Sequence, residues 1–160
     1  MAAEYGFVKP SYVVCANPAK IALIREFEVE TATGMYAGAL VKKGSTTAEV
    51  VVNDTSANVL SIVGWLGYEQ ASMDDRPATI DTIYTVGSAP VINGPGMIIR
   101  AILASKATQA AVVGTRLAPA ARYGQLDIGS TGAVAIALED VTNSTPVNAA
   151  GKTIWVMSLI

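Results

Sequence analysis

Residues 38–52 read GALVKKGSTTAEVVV. A short apolar run ends in Lys42-Lys43 and gives way to a polar turn around Gly44-Ser45. A β-branched run, Val50-Val51-Val52, follows and stops at the turn pair Asn53-Asp54. β-Branched side chains suit a pleated, half-buried surface, while Gly, Ser, Asn and Asp suit the turns between strands. Two short strands are therefore predicted, over 36–43 and 48–52. Asp54–Asn58 suits one helical turn, since Asp or Thr can cap a helix start. Residues 59–68, VLSIVGWLGY, predict the next strand, and Gly64 and Gly67 inside it mark a bulge or a close backbone approach.

On the upstream side, residues 21–30 read IALIREFEVE. Ile24, Phe27 and Val29 are interleaved with Arg25, Glu26, Glu28 and Glu30, and the alternation from Glu26 onward predicts a strand with one wet face. A turn surrounds Gly34. Residues 1–20 are different in kind: Tyr5, Phe7, Pro10, Tyr12 and Pro18 follow no regular period. They suit either an extended arm that lies on another surface or an edge strand of the same domain, limited in length by its prolines.

On the downstream side, Met73–Thr79 is polar and predicts an exposed loop. Strands are predicted over 80–86, at Val91-Ile92, over 97–103 and 132–138, and over 153–160, with turns at Gly87–Pro90 and Asn93–Gly96. IIRAILASKATQAA is rich in Ala and Leu, which suits a helix over Ile98–Ala111. Its β-branched start instead favours a strand followed by a loop around Lys106–Gln109. Pro119 and Gly124 divide the stretch after Gly114 into two more short strands. Strands alternate with turns, not with helices, so a parallel α/β sheet is disfavoured. The predicted fold class is all-β, a small β-barrel or β-tulip-like domain over 21–160 with an extended N-terminal arm over 1–20.

The opening pattern returns later in the chain. GALVKKGSTTAEVVV followed by SIVGWLGYEQAS is echoed by GTRLAPAARYGQLDI followed by GAVAIALEDVTNS. Each half has a Gly, a short strand, a polar turn, a second strand, and then a Gly- or Ala-rich strand that ends in an acid, Glu69 or Glu139. Two explanations fit: two related β-units that close one barrel with approximate internal symmetry, or two ordinary hairpins that share turn chemistry.

Composition narrows the function classes. Of 160 residues, 51% are hydrophobic and only 15% charged, against about 25% charged in ordinary soluble domains. Mean hydropathy is +0.41. No apolar run approaches the roughly 20 residues of a spanning helix: Arg100 interrupts Met97–Leu103, and Glu139-Asp140 ends Gly132–Leu138. The excess of apolar residues is expected in a core and in subunit interfaces, with no membrane as partner. The net charge of −2 and the single basic doublet, Lys42-Lys43, offer no basic patch, so no nucleic acid is expected either.

Chemistry is sparse. The sequence holds no His, which removes the commonest general base and metal ligand and every Ser–His or Cys–His pair. Cys15 is the only cysteine, so no disulfide forms within the chain, and a small buried thiol is its ordinary role. Glu69, Asp74, Asp75, Glu139 and Asp140 are the carboxylates worth weighing for acid–base work. Asp74-Asp75 suits a solvated loop, and Glu139-Asp140 suits a turn cap. Gly94-Pro95-Gly96 is a turn, not a phosphate cradle. No catalytic residue, metal or cofactor is expected. Trp65 and Trp155 are expected in strands. Interface contacts are expected of the arm residues Tyr5, Phe7, Val8, Pro10 and Tyr12, since an extended segment can add a strand to a partner's sheet edge.

Several segments together resemble a known family. They are Gly114-Thr115-Arg116-Leu117, Tyr123-Gly124-Gln125-Leu126, the run Ala135–Val141 that contains Leu138-Glu139-Asp140, and the closing Thr153–Ile160. Tyr36–Lys42 and Val63–Gly67 look similar in the front half. Over about residues 34–160 the chain resembles the head decoration (capsid cement) proteins of tailed viruses of bacteria and archaea. The resemblance implies a small β-barrel or tulip-like domain that assembles, often as a homotrimer, on the capsid exterior at local three-fold positions. Its expected partners are the major capsid protein and further copies of itself, and its place is the virion after synthesis in the host cytoplasm. The family brings no catalytic motif. Two other classes compete: a self-assembling subunit of a surface filament, tube or tail, and an enzyme or carbohydrate-binding module. An exposed aromatic row or a paired-acid cleft would mark the last, and the sequence presents neither.

Overall fold

A computed structural model describes residues 8–13, 23–31, 33, 35–53, 59–68, 73–74, 77–78, 83–84, 87–104, 110–120, 124–129, 131–142 and 152–160. Among the described residues the regular elements are strands and one 3-10 turn, Val59–Ser61. The fold is all-β, as the turn-punctuated sequence predicts.

The strands are β1 (Val8–Val13), β2 (Leu23–Val29), β3 (Leu40–Lys43), β4 (Glu49–Val52), β5 (Ile62–Leu66), β6 (Ser88–Asn93) and β7 (Met97–Leu103). The rest are β8 (Ala110–Ala111), β9 (Arg116–Pro119), β10 (Leu126–Ile128), β11 (Ala135–Ala137), β12 (Val141–Thr142) and β13 (Lys152–Ser158). Several are shorter than their apolar runs. Tyr36–Ala39 turns before β3 begins, and Val59–Ser61 coils before β5. Ile83 and Tyr84 lie outside any strand, whereas a strand was expected over 80–86. Tyr84 is buried, and its hydroxyl donates to the Gly67 carbonyl at 2.9 Å. Asp54–Asn58 and Lys106–Gln109 fall outside the described residues.

Strands β2-β4-β3-β5-β6 form a closed barrel. A ring with an odd number of strands cannot alternate direction all the way round, so one neighbouring pair must be parallel. Here it is β2–β4. The second sheet runs β1-β7-β10-β9-β11-β13, and β7 also pairs with β13. Five of its six strands thus return on themselves as a second ring, with β7–β10 as the parallel pair. β13 pairs along the length of β7 from Leu103 to Ile98. The remaining edge of β7 is shared by β10 at Leu103 and by β1 at Met97 and Ile99. β1 is an edge strand with a register shift, a position where the missing donor of Pro10 is tolerated.

The two rings repeat one another pair by pair. Val41↔Val52, Lys42↔Val51 and Lys43↔Val50 recur as Leu117↔Ile128, Ala118↔Asp127 and Pro119↔Leu126. Leu40↔Trp65 recurs as Arg116↔Ile136, and Trp65↔Ile92 as Ile136↔Met157. Ile92↔Ile24 recurs as Met157↔Ile98, and the parallel pair Val29↔Val50 as Leu103↔Leu126. Bonds outside the ladders follow suit. Leu66 N–H to Ala39 O at 2.9 Å is matched by Ala137 N–H to Thr115 O at 2.9 Å, and Glu30 N–H to Val50 O by Ala104 N–H to Leu126 O. The echo in the sequence is therefore a structural repeat. It does not produce one shared barrel, because each unit holds the five strands and the single parallel pair that closure requires.

The cores differ in extent. Inside the first ring, Met35, Ala39, Val41, Val50, Val52, Leu66, Tyr84, Ala89 and Val91 are buried together. The second cluster holds the interior of the second ring, including Ile99, Leu103, Leu117, Leu126, Ile154 and Val156. It also takes in Leu40, Trp65 and Ile92 from the first. Each of the Val, Leu, Ile and Met side chains among them contributes about 1.5–3 kcal/mol on full burial. Strands alternate faces, so those three residues leave the outer wall of the first ring and complete the core of the second.

Candidate interaction surface

The joint between the rings is built on β3, β5 and β6. Leu40, Trp65 and Ile92 stand side by side across these three paired strands. Trp65 is fully buried, and its indole Nε1–H donates to Ser158 Oγ at 3.0 Å. That hydroxyl in turn donates to the Ile160 carbonyl at 2.7 Å. The backbones meet as well. Leu40 N–H donates to Gly124 O at 3.0 Å, Gly124 N–H to Asn53 O at 2.6 Å, and Gly94 N–H to Ile160 O at 2.9 Å. A Cβ on Gly124 would lie 2.8 Å from the Ala39 Cβ and the Leu40 nitrogen, and its φ of 69° is one that L side chains rarely adopt. Gly64 shows the close approach expected of it: a Cβ there would lie 2.5 Å from the Ile92 carbonyl oxygen.

The side chains that receive this wall are Met97, Ile99, Val134, Val156 and Ser158, all buried at one end of the second ring. The corresponding end of the first ring is open. Leu23, Arg25, Phe27, Val63, Val91 and Asn93 line a cavity of about 80 Å³ there. Leu23 is 50% exposed and Ile24 44%. A second, wider groove of about 350 Å³ shares Phe27 and Val63 and adds Lys43, Thr47, Glu49, Leu60, Ser61 and Ile62. Leu60 is 98% exposed beside it. The β2 edge that pairs with β4 does so only from Glu28 onward. Among the described residues, no strand pairs with Leu23–Phe27 on that side.

Electrostatics at this surface are modest. Glu49 accepts hydrogen bonds from the Ser45 hydroxyl and the Thr46 N–H, each at 3.0 Å. Hydrogen bonds from Thr46, then Ser45, hold its carboxyl below the usual carboxylate range. Two of the other carboxylates accept from the backbone. Glu139 accepts the Trp155 N–H of strand β13 and Asp140 the Val113 N–H of a turn, both at 2.8 Å, so the turn-capping role expected of this pair is seen at Asp140 and not at Glu139. Asp74 is exposed, while Glu69, Asp75 and Cys15 fall outside the described residues. Trp155 lies in β13, and the Arg100 guanidinium stands 5.3 Å over its ring centre. Among the described residues, no group of three His, Cys, Asp or Glu side chains could hold a metal ion, and no helix is long and apolar enough to cross a membrane.

No family model and no curated protein matches the sequence. Of the expected contact residues, Val8, Pro10 and Tyr12 lie on β1, whose backbone pairs with this chain's own β7. Tyr5 and Phe7 fall outside the described residues. The open end of the first ring was not anticipated. Its signal was present in IALIREFEVE, where Leu23 and Ile24 are adjacent apolar residues that cannot both face inward on a strand.

Proposed function

We propose that the chain is a structural protein of a virion, one that binds the outside of a viral capsid and stabilises the lattice, as an oligomer at local three-fold positions. Its partners in this reading are the major capsid protein and further copies of itself. It takes no cofactor, nucleic acid or membrane and has no catalytic role. The observation that carries the proposal is the open apolar end of the first ring, flanked by Leu23, Ile24 and Leu60. Exposed apolar surface of this kind marks contact sites. Two closed rings on a common core lose little entropy on docking, and many copies on one lattice gain avidity from modest contacts. The resemblance of residues 34–160 to capsid cement proteins supplies the setting.

The test is co-sedimentation with matching empty capsids, together with light scattering of the protein alone. Saturable binding, with capsids that withstand more heat or denaturant when coated, is the expected result. Absence of binding, combined with open-ended polymers of the protein alone, would instead assign the chain to a filament, tube or tail.

A further inference from the structure

The repeat makes one contact of the molecule count twice. Within the chain, the wall Leu40–Trp65–Ile92 of the first ring seals the end of the second ring. The register assigns each member of this contact a counterpart. The wall becomes Arg116, Ile136 and Met157 on the second ring. The receiving residues Met97, Ile99, Val134, Val156 and Ser158 become Leu23, Arg25, Val63, Val91 and Asn93 on the first. Both counterparts are open. Ile136 and Met157 are half-buried where Trp65 and Ile92 are fully buried, and Arg116 is exposed where Leu40 is buried. The receiving end is the apolar cavity described above.

We infer that a second copy of this chain seats its Ile136–Met157 wall in the open end of the first ring, repeating between chains the contact that joins the rings within one. One charge pair fits the transfer, set against Arg25, which also lines the open end. Arg116 takes the place of Leu40, whose N–H meets Gly124. The counterpart of Gly124 is Ala48, next to the Glu49 carboxylate, which accepts hydrogen bonds from Ser45 and Thr46. Arg116 of one chain therefore arrives beside Glu49 of the next. The contact joins two different faces, so it is head-to-tail, and it closes into a ring or runs on as a polymer according to its rotation. It deepens the oligomeric part of the proposed function and is tested without a capsid, so its failure is separate from failure of capsid binding.

The experiment is sedimentation velocity on the full chain and three variants, with circular dichroism to confirm folding. Leu23→Lys breaks the open end, Ile136→Glu breaks the wall, and Arg116→Glu reverses an exposed charge at no risk to the core. The wild type is expected to self-associate at micromolar concentration. Leu23→Lys and Ile136→Glu each weaken association by about tenfold or more, and Arg116→Glu weakens it less. Mixing Leu23→Lys with Ile136→Glu restores two-chain species, because one intact wall meets one intact end. A monomeric wild type overturns the inference. So does association that survives both Arg116→Glu and a folded Ile136→Glu, which would mean that another partner or another face fills the open end.

Discussion

The two rings have the same strand pairings and different fillings. At the open end the first ring carries Leu23, Arg25 and Phe27 where the second carries Met97, Ile99 and Ala101. The first set is exposed or half-exposed and the second is buried. Pairing geometry fixes which residues meet along a ladder, but burial is decided by whatever covers the end of the ring. The second ring owes its sealed core to Trp65, a residue that belongs to its neighbour. Among the described residues, the first ring has no such cover.

The largest expected effect is on that shared tryptophan. Trp65→Ala should cost about 3–5 kcal/mol in denaturant unfolding, and a loss below 1 kcal/mol would mean that the second ring does not depend on the first. Trp65→Phe keeps most of the ring and loses the bond to Ser158, so about 1 kcal/mol is expected. Next comes the equivalent pair at the two ends. Met97→Ala should cost about 2–5 kcal/mol, while Leu23→Ala, at the same register position of the first ring, should stay within about 0.5 kcal/mol in the isolated chain. Equal costs would erase the asymmetry. Gly124→Ala tests the backbone side of the joint. It meets both a rare φ and a steric clash, so a loss above about 1 kcal/mol is expected from thermal melts.

The smallest effect belongs to Glu49. Its carboxyl titrates lower in the folded chain than the unfolded value of about 4.3, so its hydrogen bonds add stability above that value and lose it as pH falls through the lowered one. Glu49→Gln should therefore lower the melting midpoint slightly at neutral pH, and the two midpoints should converge in acid. A difference that grows on acidification would reverse the sign argued here.

Much of the fold is legible in the amino-acid sequence. Val50-Val51-Val52, Met97–Leu103 and Thr153–Ile160 announce themselves as strands, and the two hairpins carry the same spacing in both halves. The separate closure of each half was not legible, because the parallel pairs β2–β4 and β7–β10 join segments with no local signal in common. Nor was the role of Trp65. In IVGWL both faces are apolar, since Leu66 fills the first ring while Trp65 fills the second, and a run without alternation does not say which face meets which partner. Adjacent apolar residues were equally ambiguous at Leu23-Ile24, where one side chain rims the open end and the other lies outside it.

The outward tryptophan also bears on synthesis. All strands of the first ring precede those of the second in the chain, so on the ribosome the first ring can close while its cover is still being made. During that interval Trp65, Leu40 and Ile92 form a naked apolar wall on an otherwise finished barrel, and chaperones or neighbouring nascent chains compete for it. A translational pause well past β6, once that strand has cleared the exit tunnel, would lengthen the exposure, so recoding Leu126–Ile128 with rare codons should lower soluble yield without altering a single residue.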